Sequence, residues 1–175
     1  MHFVITRARE APVLALAMAA GQQIAMQPYG IDFLVNPHIH PEARLVAAVG
    51  DAGMPIGGLR LERRTPEHHL PLEGEVALPE ASQRKLEGRA AAGLVELCGM
   101  WVEREAGERR LPDRLVRLGI ALAAAEGVPH MVALGGQHSL PLALRSGFHF
   151  EDGEPVFPFP NPKYRSRVVW LRVRE

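Results

Sequence analysis

The sequence predicts an α/β domain with a mixed sheet, and three observations carry that expectation. An almost wholly apolar run, Leu94 to Val102, leads through a basic turn into a segment with helical spacing of leucines. That segment stops at Gly127 and is followed at once by a second apolar run, His130 to Leu134. Upstream, two apolar runs, Ala43 to Val49 and Pro55 to Arg63, are joined by Gly50-Asp51-Ala52-Gly53-Met54, as in a β-hairpin with a glycine-containing turn. Strands and helices alternate in this way when helices pack on the faces of a sheet.

The elements follow in order. His2 to Arg7 alternates weakly and reads as a first strand. Pro12 suits the first turn of a helix extending to about Met26, where Gln27-Pro28-Tyr29-Gly30 stops it. Asn36 to Pro41 is loop, and the hairpin comes next, with Gly57-Gly58 marking a bulge or a close backbone approach. Arg63 to Arg89, rich in Pro, Glu and Arg, reads as a long excursion with a short helix over Glu80 to Leu86. Leu94 to Val102 is apolar at nearly every position except Glu96, as for a central strand covered on both faces. Pro112 to Glu126 is helix, with Leu111, Leu115, Leu118, Leu122 and Ala125 on one face and Arg114 and Arg117 toward solvent. The Gly135-Gly136 pair breaks the following strand, Ser139 to Arg145 is a short helix with Ser139 as N-cap, and a strand is expected at Gly147-Phe148. Glu151 to Pro162 is a proline-rich loop, and Arg165 to Val173 is the final strand.

Composition narrows the function. With 175 residues, 47% of them apolar, the chain is expected to be a single domain with a full core. Its formal net charge of zero argues against nucleic-acid or membrane-surface binding by bulk electrostatics. The lone cysteine, Cys98, excludes an internal disulfide and a cysteine-rich metal site. The first residues lack a signal-peptide layout, and Ala11 to Ala20 is too short to span a bilayer, so a cytoplasmic location is expected. No metal is expected: His38, His40, His68 and His69 lie in proline-marked loops, read as facing solvent or acceptor, with no third ligand at a fixed spacing.

The turn from Glu103 to Leu111 carries Arg104, Arg109 and Arg110 and opens a helix, a natural site for phosphate. The ordered set of hairpin, Ile56-Gly57-Gly58-Leu59-Arg60-Leu61, central strand, helix, strand and Arg145-Ser146-Gly147-Phe148 resembles the GNAT superfamily of N-acetyltransferases from about Ala43 to Phe148. The resemblance implies a mostly antiparallel central sheet flanked by helices. It also implies acyl transfer from acetyl-CoA or another acyl-CoA to the amine of a small molecule or protein. In that family a loop of the form V-x-P-x-x-R-G-x-G-x-G cradles the pyrophosphate. Aligned on Val102, the arginine position falls on Gly107 and the glycines become Glu108, Arg110 and Pro112. Arg109 and Arg110 either replace backbone donors with charged side chains or are solvated residues of an exposed turn.

A second, partial resemblance is to the N-acyl-homoserine-lactone synthases, through Gly57-Gly58-Leu59-Arg60-Leu61, the excursion, and Glu96-Leu97. That family's arginine soon after the glutamate is missing; Gly99 stands near its place. This likeness leaves open a longer acyl donor or an acyl carrier protein as partner. A catalytically silent domain with a binding or assembly role is the alternative of a different class, because the glycine loop is lost and the family's tyrosine acid is Ala143 here.

Glu96 is the candidate base, since desolvation in an apolar strand raises a carboxyl toward base duty; its alternative is pairing with Arg60. His138 is the candidate acid, or else a loop histidine before Ser139, and Tyr164 is a further donor or a packing residue. Met100, Trp101 and Val102, with Arg104, Arg109, Arg110 and Leu111, are expected to hold the donor, with Gly99 as a bulge that opens the strand edge or as tight packing. Cys98 reads as a buried structural cysteine. Tyr29, Asp32 and Phe33 line the acceptor pocket or pack in a loop. The arginine-rich final strand is a possible homodimer surface.

Overall fold

The computed structural model describes residues 1–29, 39–75, 77–103, 109–160 and 162–173. Six strands lie in the sheet in the order of the sequence: β1 (His2–Arg7), β2 (Arg44–Val49), β3 (Pro55–Arg63), β4 (Leu94–Val102), β5 (His130–Gly136) and β6 (Ser166–Arg172). β1–β2, β2–β3 and β5–β6 are antiparallel, and β4–β5 is parallel. Among the described residues the α-helices are α1 (Pro12–Met26), α2 (Pro71–Glu75), α3 (Glu80–Ala90), α4 (Leu111–Ala125) and α5 (Leu140–Arg145). No helix among the described residues is long and apolar enough to cross a membrane. The α/β class with a mixed, mostly antiparallel sheet is thus as expected.

The chain forms two compact units, Met1–Leu61 with Gly99–Gly119, and Glu62–Cys98 with Ile120–Glu175. In the first, α1 lays Ala15 and Met18 against Ala43, Leu45, Ala47 and Val49. The approach is close because small residues face it: a Cβ on Gly58 would stand 2.6 Å from Met18 Cε. On the other face of β3, Gly119 of α4 sits against Leu59 and Leu61. Side chains alternate faces along a strand, so β3 receives α1 on one side and α4 on the other.

In the second unit the core is Leu70, Leu72, Leu78, Leu86, Leu94, Val132, Phe157, Val168 and Trp170. The excursion is therefore more structured than its composition predicts. It contains α2, and α3 runs to Ala90 rather than Leu86. Two further expectations are corrected. Gly135 and Gly136 do not break β5; they pair with Arg167 and Ser166 of β6. Gly147-Phe148 opens no strand: only His149 bridges to Trp170.

The β4 strand has an irregularity that matters for the site. Arg64 N–H donates to Leu94 O at 3.0 Å and Glu103 N–H to Ile56 O at 2.8 Å, so β3 and β4 run antiparallel. Between these two rungs β4 uses one residue more than β3. Gly99, at φ +61°, is the residue of the span in the left-handed region that a glycine bulge requires.

Candidate functional site

Glu96 lies in the second unit, 3% exposed. Leu72 N–H, in the first turn of α2, donates to its Oε2 at 3.0 Å. The register places a second carboxylate beside it. Continued regularly from the Arg64–Leu94 rung, an antiparallel ladder puts Glu62 of β3 opposite Glu96 and on the same face, a spacing that brings Cβ atoms to about 5 Å. Glu62 is 2% exposed, and its Oε2 is 3.0 Å from Nε2 of His68.

His68 is held in turn. Its N–H donates to Thr65 Oγ1 at 3.1 Å, and Thr65 O–H to Glu67 at 3.1 Å. His68 does lie in a loop, as expected, but it is not turned fully to solvent: its side chain is 20% exposed and pairs with Glu62. Nearby, Glu73 of α2 accepts from Arg64 Nε at 3.1 Å and from Leu70 N–H at 2.8 Å, and its Oε1 lies 3.4 Å from His69 Nδ1. Among the described residues no three His, Cys, Asp or Glu side chains converge as a metal-ligand set.

His138, also in the second unit, is exposed on the turn between β5 and α5. Its ring stands edge-on to that of Tyr164, centroids 6.0 Å apart, and its Nε2 is 3.2 Å from Gln137 Nε2. The two candidate proton donors of the sequence are therefore neighbours. Ser139 occupies the N-cap of α5 without capping it; its hydroxyl accepts Gly136 N–H at 3.0 Å. Cys98 is half-buried rather than buried. The parallel register of β4 and β5 covers Leu94 to Glu96 against His130 to Val132, and among the described residues it stops there, although β5 continues to Gly136.

The first unit holds the candidate donor-binding residues. Met100, Trp101 and Val102 end β4, and Glu103 N–H ties that end to Ile56. Trp101 is 5% exposed, with its six-membered ring pressed on the backbone of Gly21 in α1. Arg109 and Arg110 form an exposed turn at the head of α4, and Leu111 is buried under it. Arg114 N–H is already bonded to Arg110 O, and Pro112 has no N–H. Within the first turn of α4 that leaves the N–H groups of Leu111 and Asp113, next to the guanidinium groups of Arg109 and Arg110. Arg104, Asp32 and Phe33 lie outside the described residues, and Tyr29 ends a short 3-10 turn after α1. A small cavity in this unit is lined by Met18, Ala19, Gln22, Ile39, Leu45, Arg60 and Gly99. Arg60 is turned to this cavity, with Nη1 3.3 Å from where a Cβ on Gly99 would stand.

Glu62 and His68 escape sequence reading. The signal for Glu62 is its alternation with Gly58 and Arg60, but what it faces depends on the β3–β4 register. The signal for His68 is only its distance of six residues from Glu62.

No family model matches the chain, and no curated protein matches it in sequence. Solved structures do. FeeM, an N-acyl amino acid synthase from uncultured soil microbes, aligns with 97% of this chain and 95% of its own at a TM-score of 0.73 and 13% identity. An acyl-CoA N-acyltransferase from Pseudomonas aeruginosa aligns over 97% and 98% at a TM-score of 0.68 and 11% identity. Tetrahymena GCN5 aligns over 99% and 97% at a TM-score of 0.65 and 10% identity. Likeness that spans nearly the whole of both chains, with the strand order and helix positions described above, identifies the architecture: the chain has the GNAT N-acetyltransferase fold.

Proposed function

We propose that this protein is an acyltransferase that moves an acyl group from a CoA thioester directly to a primary amine, with Glu96 as the base. The observation that carries the reading is a buried carboxylate on the central strand of a GNAT fold, aligned by a backbone donor and placed beside a second carboxylate. Acyl transfer to an amine needs a group that takes a proton as the new bond forms, and a preorganised carboxylate supplies it. Met100 to Val102 and the exposed Arg109 and Arg110 hold the donor, the arginines taking its phosphates in place of the missing glycine-loop amides. The acceptor is a small-molecule amine met by the segment from Tyr29 to Phe33, and His138, beside Tyr164, protonates the leaving thiolate. The likeness to FeeM, an N-acyl amino acid synthase, favours a donor chain longer than acetyl. An acyl carrier protein is the other donor of the same chemistry.

Thermal unfolding with octanoyl-CoA and acetyl-CoA tests the reading. At a hundredfold excess over Kd, a bound donor adds about 2.7 kcal/mol, roughly 5 °C or more in Tm for a chain of this length. Glu96→Gln is expected to keep that rise and to lose turnover by roughly a hundredfold against a panel of primary amines. No rise with either ester or with an acylated carrier protein points to a silent domain; unchanged turnover removes Glu96 from the role.

A further inference from the structure

We propose that Glu62 and His68 complete a proton relay that starts at Glu96 and ends in solvent. Three observations place these residues in line. The ladder that starts at the Arg64–Leu94 rung puts Glu62 opposite Glu96 two residues on, and the two are 2% and 3% exposed. Glu62 Oε2 and His68 Nε2 are 3.0 Å apart. Exposure then rises along the line, from 2% for the side chain of Glu62 to 20% for that of His68.

A base buried as deeply as Glu96 works once and then holds its proton. Turnover requires a way out, and burial closes the direct one. In the relay, the acceptor's N–H bond breaks as the N–acyl bond forms, and the proton goes to a carboxylate oxygen of Glu96. The resulting carboxylic acid passes it to the Glu62 carboxylate, the Glu62 acid gives it to Nε2 of His68 in its Nδ1–H tautomer, and the imidazolium releases the Nδ1 proton to bulk water. Exchange of the ring protons with water restores the starting tautomer, and no electrons change hands. An imidazole is suited to the last step because its two ring nitrogens can accept a proton on one side and release one on the other. Two further carboxylates lie on the same segment: Glu67 accepts from Thr65 Oγ1, and Glu73 accepts from Arg64 and faces His69.

The relay assigns Glu62 and His68 as positioning and transfer residues acting through Glu96, and it rests on the reading of Glu96 as base. Its test has a spectroscopic arm that needs no turnover. In 15N-histidine spectra at neutral pH, Glu62→Gln moves the His68 ring-nitrogen signals, as any direct partner would. The relay further requires that Glu96→Gln, one residue removed, moves them too. Unmoved His68 signals in folded Glu96→Gln break the chain and overturn the proposal. Should Glu96→Gln not fold, the wild type decides by 13C spectra of the glutamate carboxyls: Glu62 and Glu96 respond together to His68→Gln if linked, and Glu62 alone responds if not. With octanoyl-CoA and primary amines, His68→Gln is expected to lower kcat about tenfold or more with little change in KM, and added imidazole to restore part of the loss. Loss without imidazole rescue overturns the exit role of His68. If Glu96→Gln leaves turnover intact while the His68 signals still move, the base assignment fails and the coupling of the three residues stands.

Discussion

Gly21 sits in the middle of α1, where glycine costs about 1 kcal/mol relative to alanine. Its retention is explained by Trp101: a Cβ on Gly21 would stand 2.2 Å from Cη2 of that ring and 2.3 Å from Cζ2. Those atoms belong to a rigid side chain, 5% exposed, with no room to retreat. Gly21→Ala therefore gains helix propensity and loses more by overpacking, typically 1–3 kcal/mol. The expected net is destabilisation of about 1 kcal/mol in urea, and Gly21→Ala with Trp101→Leu is expected to recover most of it. A stable Gly21→Ala single variant contradicts this packing. The same scale shows what could be read in advance. Glu96 stands out in the sequence because every neighbour is apolar. Glu62 does not, because its significance arises only when β3 and β4 are paired, and that pairing turns on the extra residue taken up at Gly99.

The elements most accurately anticipated are those whose local signals agree. β4 and α1 have the bounds their residues suggest, Leu94–Val102 and Pro12–Met26. Where they disagree, tertiary packing decides. Glycines argue for a break at Gly135-Gly136, yet an antiparallel partner carries β5 through them. The excursion looks unstructured because α2 and α3 are short and polar, and their order comes from burying Leu72, Leu78 and Leu86 on Leu94, Val132 and Trp170. A second anchor holds α3. Glu154, in the proline-rich segment, accepts Ser82 O–H at 2.5 Å, Trp170 Nε1–H at 3.1 Å and Lys85 Nζ at 3.1 Å. Arg89 of the same helix stacks 4.2 Å above the Trp170 ring and bonds Glu151 at 2.6 Å. Glu154→Ala leaves the Ser82 hydroxyl and the Trp170 indole N–H without this acceptor, while Lys85 keeps Asp152 O at 2.8 Å. It is expected to cost about 3 kcal/mol and to raise amide exchange in α3. Exchange in α3 equal to that of the wild type removes Glu154 as its anchor.

At the scale of the molecule, fold was legible and chemistry only in part. The order of strands, hairpin and helices survives at 10 to 13% identity to solved structures because burial patterns tolerate substitution. A catalytic constellation has no such redundancy: the turn before α4 departs from the GNAT loop pattern just where a match would have been diagnostic, at Gly107, Glu108, Arg110 and Pro112. Global stability, by contrast, carries a pH signature that one residue predicts. His130, at the start of β5, is held below its ordinary value of 6.5, first by burial and then by the positive charges of Arg89 and Arg172, with Glu151 opposing. Above the unfolded value, the imidazole is neutral in both states and contributes no pH dependence. As pH falls through it, the unfolded chain takes up the proton and the folded chain does not, so stability decreases until the depressed folded value is passed. Urea midpoints at about pH 7.5 and about pH 5.5 are thus expected to fall less in His130→Asn than in the wild type. An equal fall in both assigns this part of the acid sensitivity to other groups. Because His130 pairs with Leu94 in the parallel register and with Arg172 across β6, its protonation would bring a charge into the strand that joins both neighbours. The loss of stability should therefore appear as a cooperative shift of the whole second unit, seen equally in the exchange of β4, β5 and β6 amides, rather than as fraying of β5 alone.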